Sequence, residues 1–529
     1  MEDQPALAAF ARALAAESFG SEAGAAERYA AALALAPQNE VLAGRALSSA
    51  LTAGNRPLAL RAARALEAAG KVPPDARLLL LGDAMQRRDW KDAATHIDTV
   101  EKDEVFAFLT PLLRVWLAQG SGKGDPLKLI EAVPESEVAA PYLAQQRPLI
   151  LLLEGKRKEG IAALAPMLAE ESARAHRIRI AAAALLARKH RREALSLLEG
   201  NAPAIAAARR QVEAGKPLRG GISTPAEGVA DFILRFGADV IAGEAPEVAL
   251  SFSRLAGIIA PGSSDAAVVT SELLAAKGAH EAALAVLSRI PSDDPLASEA
   301  EARRFAALAA TGRTAEAAAR AQAAAAAQPD SVEAQAALGD ILGQTKQHAE
   351  AAEAYQRALV LAKQGAPTLR SEWSLWLLAG SALLQAERWP EAKTSLEQAY
   401  KLAPDHPIVL NFLGYSQLER RENVAEATRL IEQASKLQPD NAGITDSLGW
   451  AHFLNGNVPK AIELLEKATR GEPADAAINE HLGDAYYVAG RRFEARYAWQ
   501  AALTYAEGKV AERLRAKIDA GLKPELAAP

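Results

Sequence analysis

Between residues 371 and 507 the sequence repeats itself every 34 or 35 positions, which commits the chain to stacking copies of one small unit. Leu448-Gly449 is followed by Gly456, Ala461, Leu465, Ala468 and Pro473. Leu482-Gly483 leads to Tyr486, Gly490, Ala495, Trp499 and Ala502 at the same offsets. Leu413-Gly414 leads to Ala427, Ile431, Ala434 and Pro439 with one inserted residue, and before it stand Trp376, Gly380, Ala392, Leu396, Ala399 and Pro404. Gly449 to Gly483 and Pro439 to Pro473 each span 34 residues.

Each position has a mechanical reading. The early glycine and the two alanines lie where two helices cross closely, so Ala461 and Ala495 are expected to be almost fully buried against the glycine of their own repeat. The large residue between the alanines is a knob that packs into the neighbouring unit. The mid-repeat glycine ends the first helix in the left-handed conformation that a Cβ disfavours. The closing proline, with no N–H to donate, stops the second helix.

Weaker copies run upstream: Leu338-Gly339 with Ala351, Tyr355 and Ala358; Gly312 with Ala317, Ala324 and Pro329; Gly278 with Ala283 and Leu287. The start of the chain shows the pattern again in Gly20, Ala25, Tyr29, Ala32 and Pro37, then Gly54 with Ala59, and Leu81-Gly82 with Ala94. From about 105 to 200 only bare helix pairs remain. Two helical arrays are therefore expected, 1–200 and 226–529, joined by a linker at 201–225 that ends in Gly220-Gly221 and Pro225. Residues 508–521 read as an amphipathic capping helix with its charges outward.

Composition fits an all-α chain. Half of the residues are apolar, much of that alanine, and only 5% are aromatic, which suits many thin helix–helix layers. Net charge is −6. The absence of cysteine removes disulfides, thiolate metal sites and a cysteine nucleophile from consideration. No apolar run reaches the ~20 residues that cross a bilayer. The acidic Met1-Glu2-Asp3 start lacks the features of a secretory signal, so the sequence as it stands reads as cytoplasmic, with the periplasm as the alternative if a signal has been removed.

The spacing of these residues resembles the tetratricopeptide-repeat family, whose signature is W-x2-L-G-x2-Y…A-x3-F…P over about 34 residues. Four units over about 371–507 carry it. The resemblance implies a right-handed α-solenoid of about 14 stacked helix-turn-helix repeats, more than ~60% helical and without sheet. The run from Leu410 to Leu503 is also similar to bacterial envelope-associated tetratricopeptide proteins, among them a lipoprotein adaptor for a processing protease. Such lipoproteins carry a signal and a lipidated cysteine that this sequence does not show, so the likeness bears on a scaffold role and not on location.

Catalytic and cofactor motifs are not legible. The stretch 119–126, QGSGKGDP, is not a phosphate loop, because Leu117 stands where the first glycine belongs and Gly124 follows Lys123. His280-Glu281 begins like a zinc-protease helix, but Leu284 replaces the second histidine. No enzymatic activity, cofactor or metal is expected. Residues 147–219 hold 15 Lys/Arg against 7 Asp/Glu, which offers an anionic ligand or nucleic acid as a remote alternative. No aromatics are interleaved among its basic clusters to stack on bases, and an ordinary solvated helix face competes with that reading.

In the family, the first helix of each unit lines a concave groove. Carried onto this sequence, that groove presents Asn411, Tyr415, Asp446, Trp450, Phe453, Glu480, Asp484 and Tyr487. Carboxylates beside aromatics suit a protein or peptide partner with apolar anchors and basic residues. Trp450 and Tyr415 are equally readable as packing residues between adjacent first helices. The expected function is a protein-binding scaffold or adaptor, with self-association into a homo-oligomer as the second reading.

Overall fold

The computed structural model describes every residue except 1–3, 20, 103–104, 171, 241–245, 367, 369, 527 and 529. Gly20 thus lies outside the described residues. Among them the chain forms 31 α-helices and two short 3-10 turns, with no strand. The helices stack as consecutive pairs in two compact units, one comprising 1–329 with 366–369, the other 330–365 with 370–529.

Recurrent caps start the helices. Asn39, Asn55, Ser263, Ser331, Asn441 and Asp475 each accept a hydrogen bond from a main-chain N–H three residues on. Gly456 (φ +80°) and Gly490 (φ +79°) take the left-handed conformation just past their first helices. Where no glycine is available, Arg88, Lys346 and Glu387 adopt the same conformation.

In the first unit the pairs follow one another from Gln4 to Leu197. Their first helices include α1 (Glu40–Ala53), α2 (Pro74–Gln86), α3 (Thr110–Ser121), α4 (Ala140–Leu153) and α5 (Ala173–Leu186). The repeat signature fades here because several second helices are short, as at Pro126–Glu131, Arg157–Ala163 and Arg191–Leu197. At Gly82 the space a Cβ would take is occupied by Ile259, while on the second helix Ala93 is fully buried and Ala94 only half-buried, one residue off the expected register.

Residues 201–225, expected as a linker, contain the helix Pro203–Glu213, which buries Ile205, Ala208 and Val212. The chain on both sides of it belongs to the same unit, which runs to Pro329. After the Gly220-Gly221 turn the chain doubles back. Helices α6 (Pro225–Val240) and α7 (Pro246–Ile259) pack against the first helices, α6 on α2 and α3, α7 on α1 and α2. Gly228 makes this possible, since a Cβ there would overlap the buried Trp116 indole. Trp116 Nε1 donates to Gln146 (2.8 Å), whose amide donates to the Gly228 carbonyl and to Asp231 (3.0 Å each). The first-helix face of α1, α2 and α3 is therefore covered by the same chain.

In the second unit, after Val332–Gln344 and α8 (Glu372–Gln385), the first helices that carry the expected site are α9 (Pro407–Glu419), α11 (Ala442–Leu454) and α13 (Ala476–Val488). Each pairs with a second helix: α10 (Val424–Leu437), α12 (Val458–Gly471) and α14 (Arg492–Tyr505). Helix α15 (Gly508–Ala520) closes the array. A Cβ at Gly449 would stand 2.8 Å from Leu465, and one at Gly414 2.8 Å from Ile431. The knob thus fills the slot left by the glycine of its own repeat, and beyond it reaches the next: Leu465 clusters with Leu482 and Ala485. Ala461 and Ala495 are fully buried, as their spacing requires. Ala461→Leu is expected to overpack this crossing and to lower stability by ~1–3 kcal/mol in chemical denaturation; a wild-type midpoint would place the crossing elsewhere.

Candidate functional site

Stacking α9, α11 and α13 brings the first-helix residues of three repeats into contact. Trp450 of α11 is fully buried and stacks on His481 of α13 (centroids 4.2 Å, 15° between planes) and on Phe453 one turn on (4.7 Å, 14°). Tyr415 of α9 lies 6.5 Å from the His481 ring. His481 Nδ1 meets both oxygens of Asp446, at 2.9 and 3.0 Å.

Beside this stack sits a buried ion cluster. Lys517 of α15, with no exposed surface, places Nζ 2.6 Å from Glu480 and 2.8 Å from both oxygens of Asp484. Arg513, one turn earlier, holds Glu480 in a two-pronged pair at 2.8 and 2.7 Å. Asp484 also accepts from Trp499 Nε1 (2.9 Å) and from the main-chain N–H of Ala528 (3.0 Å). Burial pushes the Asp484 carboxyl above the usual carboxylate range despite Lys517. For Glu480 burial acts the same way, but Arg513 and Lys517 outweigh it and hold the group below that range.

All eight expected groove residues lie on α9, α11 and α13, but they divide by accessibility. Asp446, Trp450, Glu480 and Asp484 are buried, whereas Asn411, Tyr415, Phe453 and Tyr487 are half-buried. The carboxylates are matched by cations of the chain itself, because uncompensated charge is costly to take out of water. The capping helix accordingly differs from the expectation: its Arg513 and Lys517 face inward. Asn411 Oδ1 is shielded and has no hydrogen-bond partner.

Sequence reasoning missed His481, Lys517, Arg513 and Trp499 as members of this cluster. Lys517 carried a signal, since it stands three residues after buried Leu514 and beside Ile518, inside the apolar stripe of α15. No local spacing marks His481, because its carboxylate partner, Asp446, stands one repeat earlier. Among the described residues no group of three or more His, Asp or Glu side chains is placed to hold a metal.

The first unit holds a cavity of about 700 Å³ lined by Arg177, Asp231, Arg254, Asp265 and the Gly220-Gly221 turn. Its charges are paired among themselves: Arg177 with Asp265 and Asp231, and Arg254 with Glu22 at 2.7 Å. Burial, against the pull of Arg177, pushes the Asp265 carboxyl up to about 6. Much of the basic charge of 147–219 is likewise used internally. Arg179 donates to the carbonyls of Leu197 and Glu199, Arg209 pairs with Glu213, and Arg219 pairs with Asp293. The QGSGKGDP stretch is the end of α3 and the turn after it, with Gly122 left-handed at φ +65°.

A family model described as a tetratricopeptide repeat matches residues 303–366, 377–442, 418–475 and 447–509. No curated protein sequence matches the chain. Among solved structures it is similar to yeast Tom70, at 13% identity and TM-score 0.36 over 100% of this chain and 99% of that one. It is similar to a tetratricopeptide repeat protein from Parabacteroides merdae, at 13% identity and TM-score 0.39 over 48% of this chain and 96% of that one. A chain of the APC/C Cut9–Hcn1 hetero-tetramer is similar at 14% identity and TM-score 0.41, over 98% and 97%.

The His481–Asp446 pair has a pH signature. Burial disfavours the imidazolium, but Asp446, with Asp484 and Glu480 nearby, outweighs it and raises the pKa above its ordinary value of about 6.5. A folded pKa above the unfolded one contributes stability that is full below pH ~6.5 and is lost as pH rises through the folded value. The melting-temperature gap between wild type and His481→Gln should therefore be widest near pH 6 and shrink with rising pH. A gap that is constant or widens would contradict the pairing.

Proposed function

Because the chain is a tetratricopeptide-repeat protein, we propose that it is a non-catalytic scaffold that binds a partner protein or peptide on the first-helix face of its second unit. One observation carries the choice of face. In the first unit α1, α2 and α3 are covered by α6 and α7, whereas in the second Asn411, Tyr415, Phe453 and Tyr487 keep exposed surface above a buried floor. Half-exposed aromatics on a preorganised base are the residues that become anchors when a partner excludes water from them.

This reading shifts the interaction from charge to aromatic contact. The buried carboxylates are neutralised within the chain, so a partner meets the Tyr415 and Phe453 rings first. A second reading, self-association, is favoured by Phe493 and Tyr497, which are 75% and 64% exposed on α14 with ring centroids 5.8 Å apart. Light scattering on Phe493→Ser/Tyr497→Ser separates it from partner binding.

The test is affinity capture with the full chain as bait, beside the Tyr415→Ala/Phe453→Ala variant. Truncating an aromatic anchor costs ~2 kcal/mol or more, so the captured partner should bind about 30-fold more weakly or be lost, while helix content by circular dichroism is unchanged. A partner retained at unchanged affinity would overturn this face as the binding site.

A further inference from the structure

The segment after α15 turns back across the same face. Gly521 (φ +81°) reverses the chain directly beneath the Tyr487 hydroxyl, at a place where a Cβ would collide with that ring. Leu522 packs with Tyr487, Trp499 and Leu514 at the last repeat. A short turn, Pro524–Leu526, follows. Ala528 then donates its main-chain N–H to Asp484 of α13 and is 6% exposed in a cluster with Leu418 of α9 and Trp450 and Ala451 of α11. Within eight residues the segment has passed from the α13–α14–α15 cluster to the α9–α11 cluster, opposite to the direction in which the repeats advance.

The contacts define a subsite. A buried carboxylate oxygen accepts one main-chain N–H, and beside it lies an apolar recess that a methyl group fills. A larger side chain there would have to displace Trp450, which is held between Phe453 and His481. Among the described residues the anchoring is light: one charge-assisted hydrogen bond and two apolar contacts set against the entropy of ordering the backbone. Its tether keeps it near the site at an effective concentration in the mM range, which suffices for occupancy and leaves it exchangeable.

We propose that Leu522–Leu526 and Ala528, the described residues of the segment after Gly521, are a resident ligand of the second unit's groove. The external partner is then a segment of the same chemistry: a short stretch presenting a small apolar residue, with its main-chain N–H free, to Asp484 and Trp450. The inference deepens the scaffold reading by naming what the groove accepts and what must first leave it. Occupancy by the tether lowers the apparent affinity of any competitor by the fraction of time the site is filled.

The probe is a fluorescent synthetic peptide with the sequence of residues 520–529 and both ends blocked, followed by anisotropy. It is titrated into the full chain, into a chain ending at Gly521, and into full-length Ala528→Glu, whose charge expels the segment while leaving α15 intact. Expected is binding to the shortened chain and to Ala528→Glu at least 10-fold tighter than to the wild-type chain, and none by a peptide carrying tryptophan in place of Ala528. Should the shortened chain fail to fold, Ala528→Glu decides. Binding to neither altered form, equal binding to all three, or binding of the tryptophan peptide would overturn the proposal. The peptide assay involves no cellular partner. A resident ligand that passes it alongside unchanged capture by Tyr415→Ala/Phe453→Ala would leave this proposal standing and the scaffold reading refuted.

Discussion

Asp484 has no exposed surface, and the far end of the second unit is arranged around keeping it bonded. It receives an indole N–H from its own repeat, an ammonium from the closing helix and a main-chain N–H from the segment beyond. A carboxylate so placed costs several kcal/mol in desolvation if left alone, and removing one partner from such a pair leaves the other uncompensated. The closing helix is thus more than a polar lid. Its Lys517 and Arg513 reach back to Glu480 and Asp484, one helical turn apart on α13, and tie the end of the array to its first-helix face. A conventional cap with its charges outward would have left α13 with two unpaired carboxylates.

The two units put the same face of the same kind of helix to different uses. In the first, Gly228 and Gly82 let α6 and α7 approach the first helices closely, and the Trp116–Gln146–Asp231 chain of hydrogen bonds fixes them there. Burial opposes the charge on Asp231, but Arg235 and Arg177 hold its carboxyl below the usual range, so its charge is compensated inside the unit even though Asp231 Oδ1 and the two terminal nitrogens of Arg235 make no hydrogen bond. In the second unit, among the described residues, this face meets α15 and a short following segment, held by Lys517, Arg513 and the Ala528 N–H. A helical hairpin buries large side chains, whereas the described residues after Gly521 bury only Ala528 and part of Leu522.

Much of the fold was legible in the sequence because its period is enforced by sterics. Gly449 and Gly483 mark places where a Cβ would strike Leu465 or Trp499, so the pattern of glycine, alanine and knob maps directly onto helix crossings. That the eight named residues lie on three consecutive first helices was legible for the same reason, since they stand at fixed offsets from the Leu-Gly pair. Accessibility was not. Whether Asp446 meets solvent or His481 depends on a residue 35 positions away, and whether Asp484 is free depends on Lys517, 33 positions away and outside the repeat. The helix at Pro203–Glu213 was hidden by the glycine- and proline-containing stretch beside it, which marks a reversal of the chain and not the gap between two arrays.

The central claim is that Lys517 and Asp484 act as one buried unit that organises the groove, and a double-mutant cycle tests it most directly. Native-state hydrogen exchange of the α13 and α15 amides would give local opening free energies for wild type, Lys517→Met, Asp484→Asn and the double variant. The account predicts that Lys517→Met alone costs about 3–5 kcal/mol, the loss expected when a buried ion pair is broken from one side. It predicts that the double variant costs less than the sum of the singles by ~1–3 kcal/mol. Additive losses within ~0.3–0.5 kcal/mol, or unchanged protection in Lys517→Met, would contradict it.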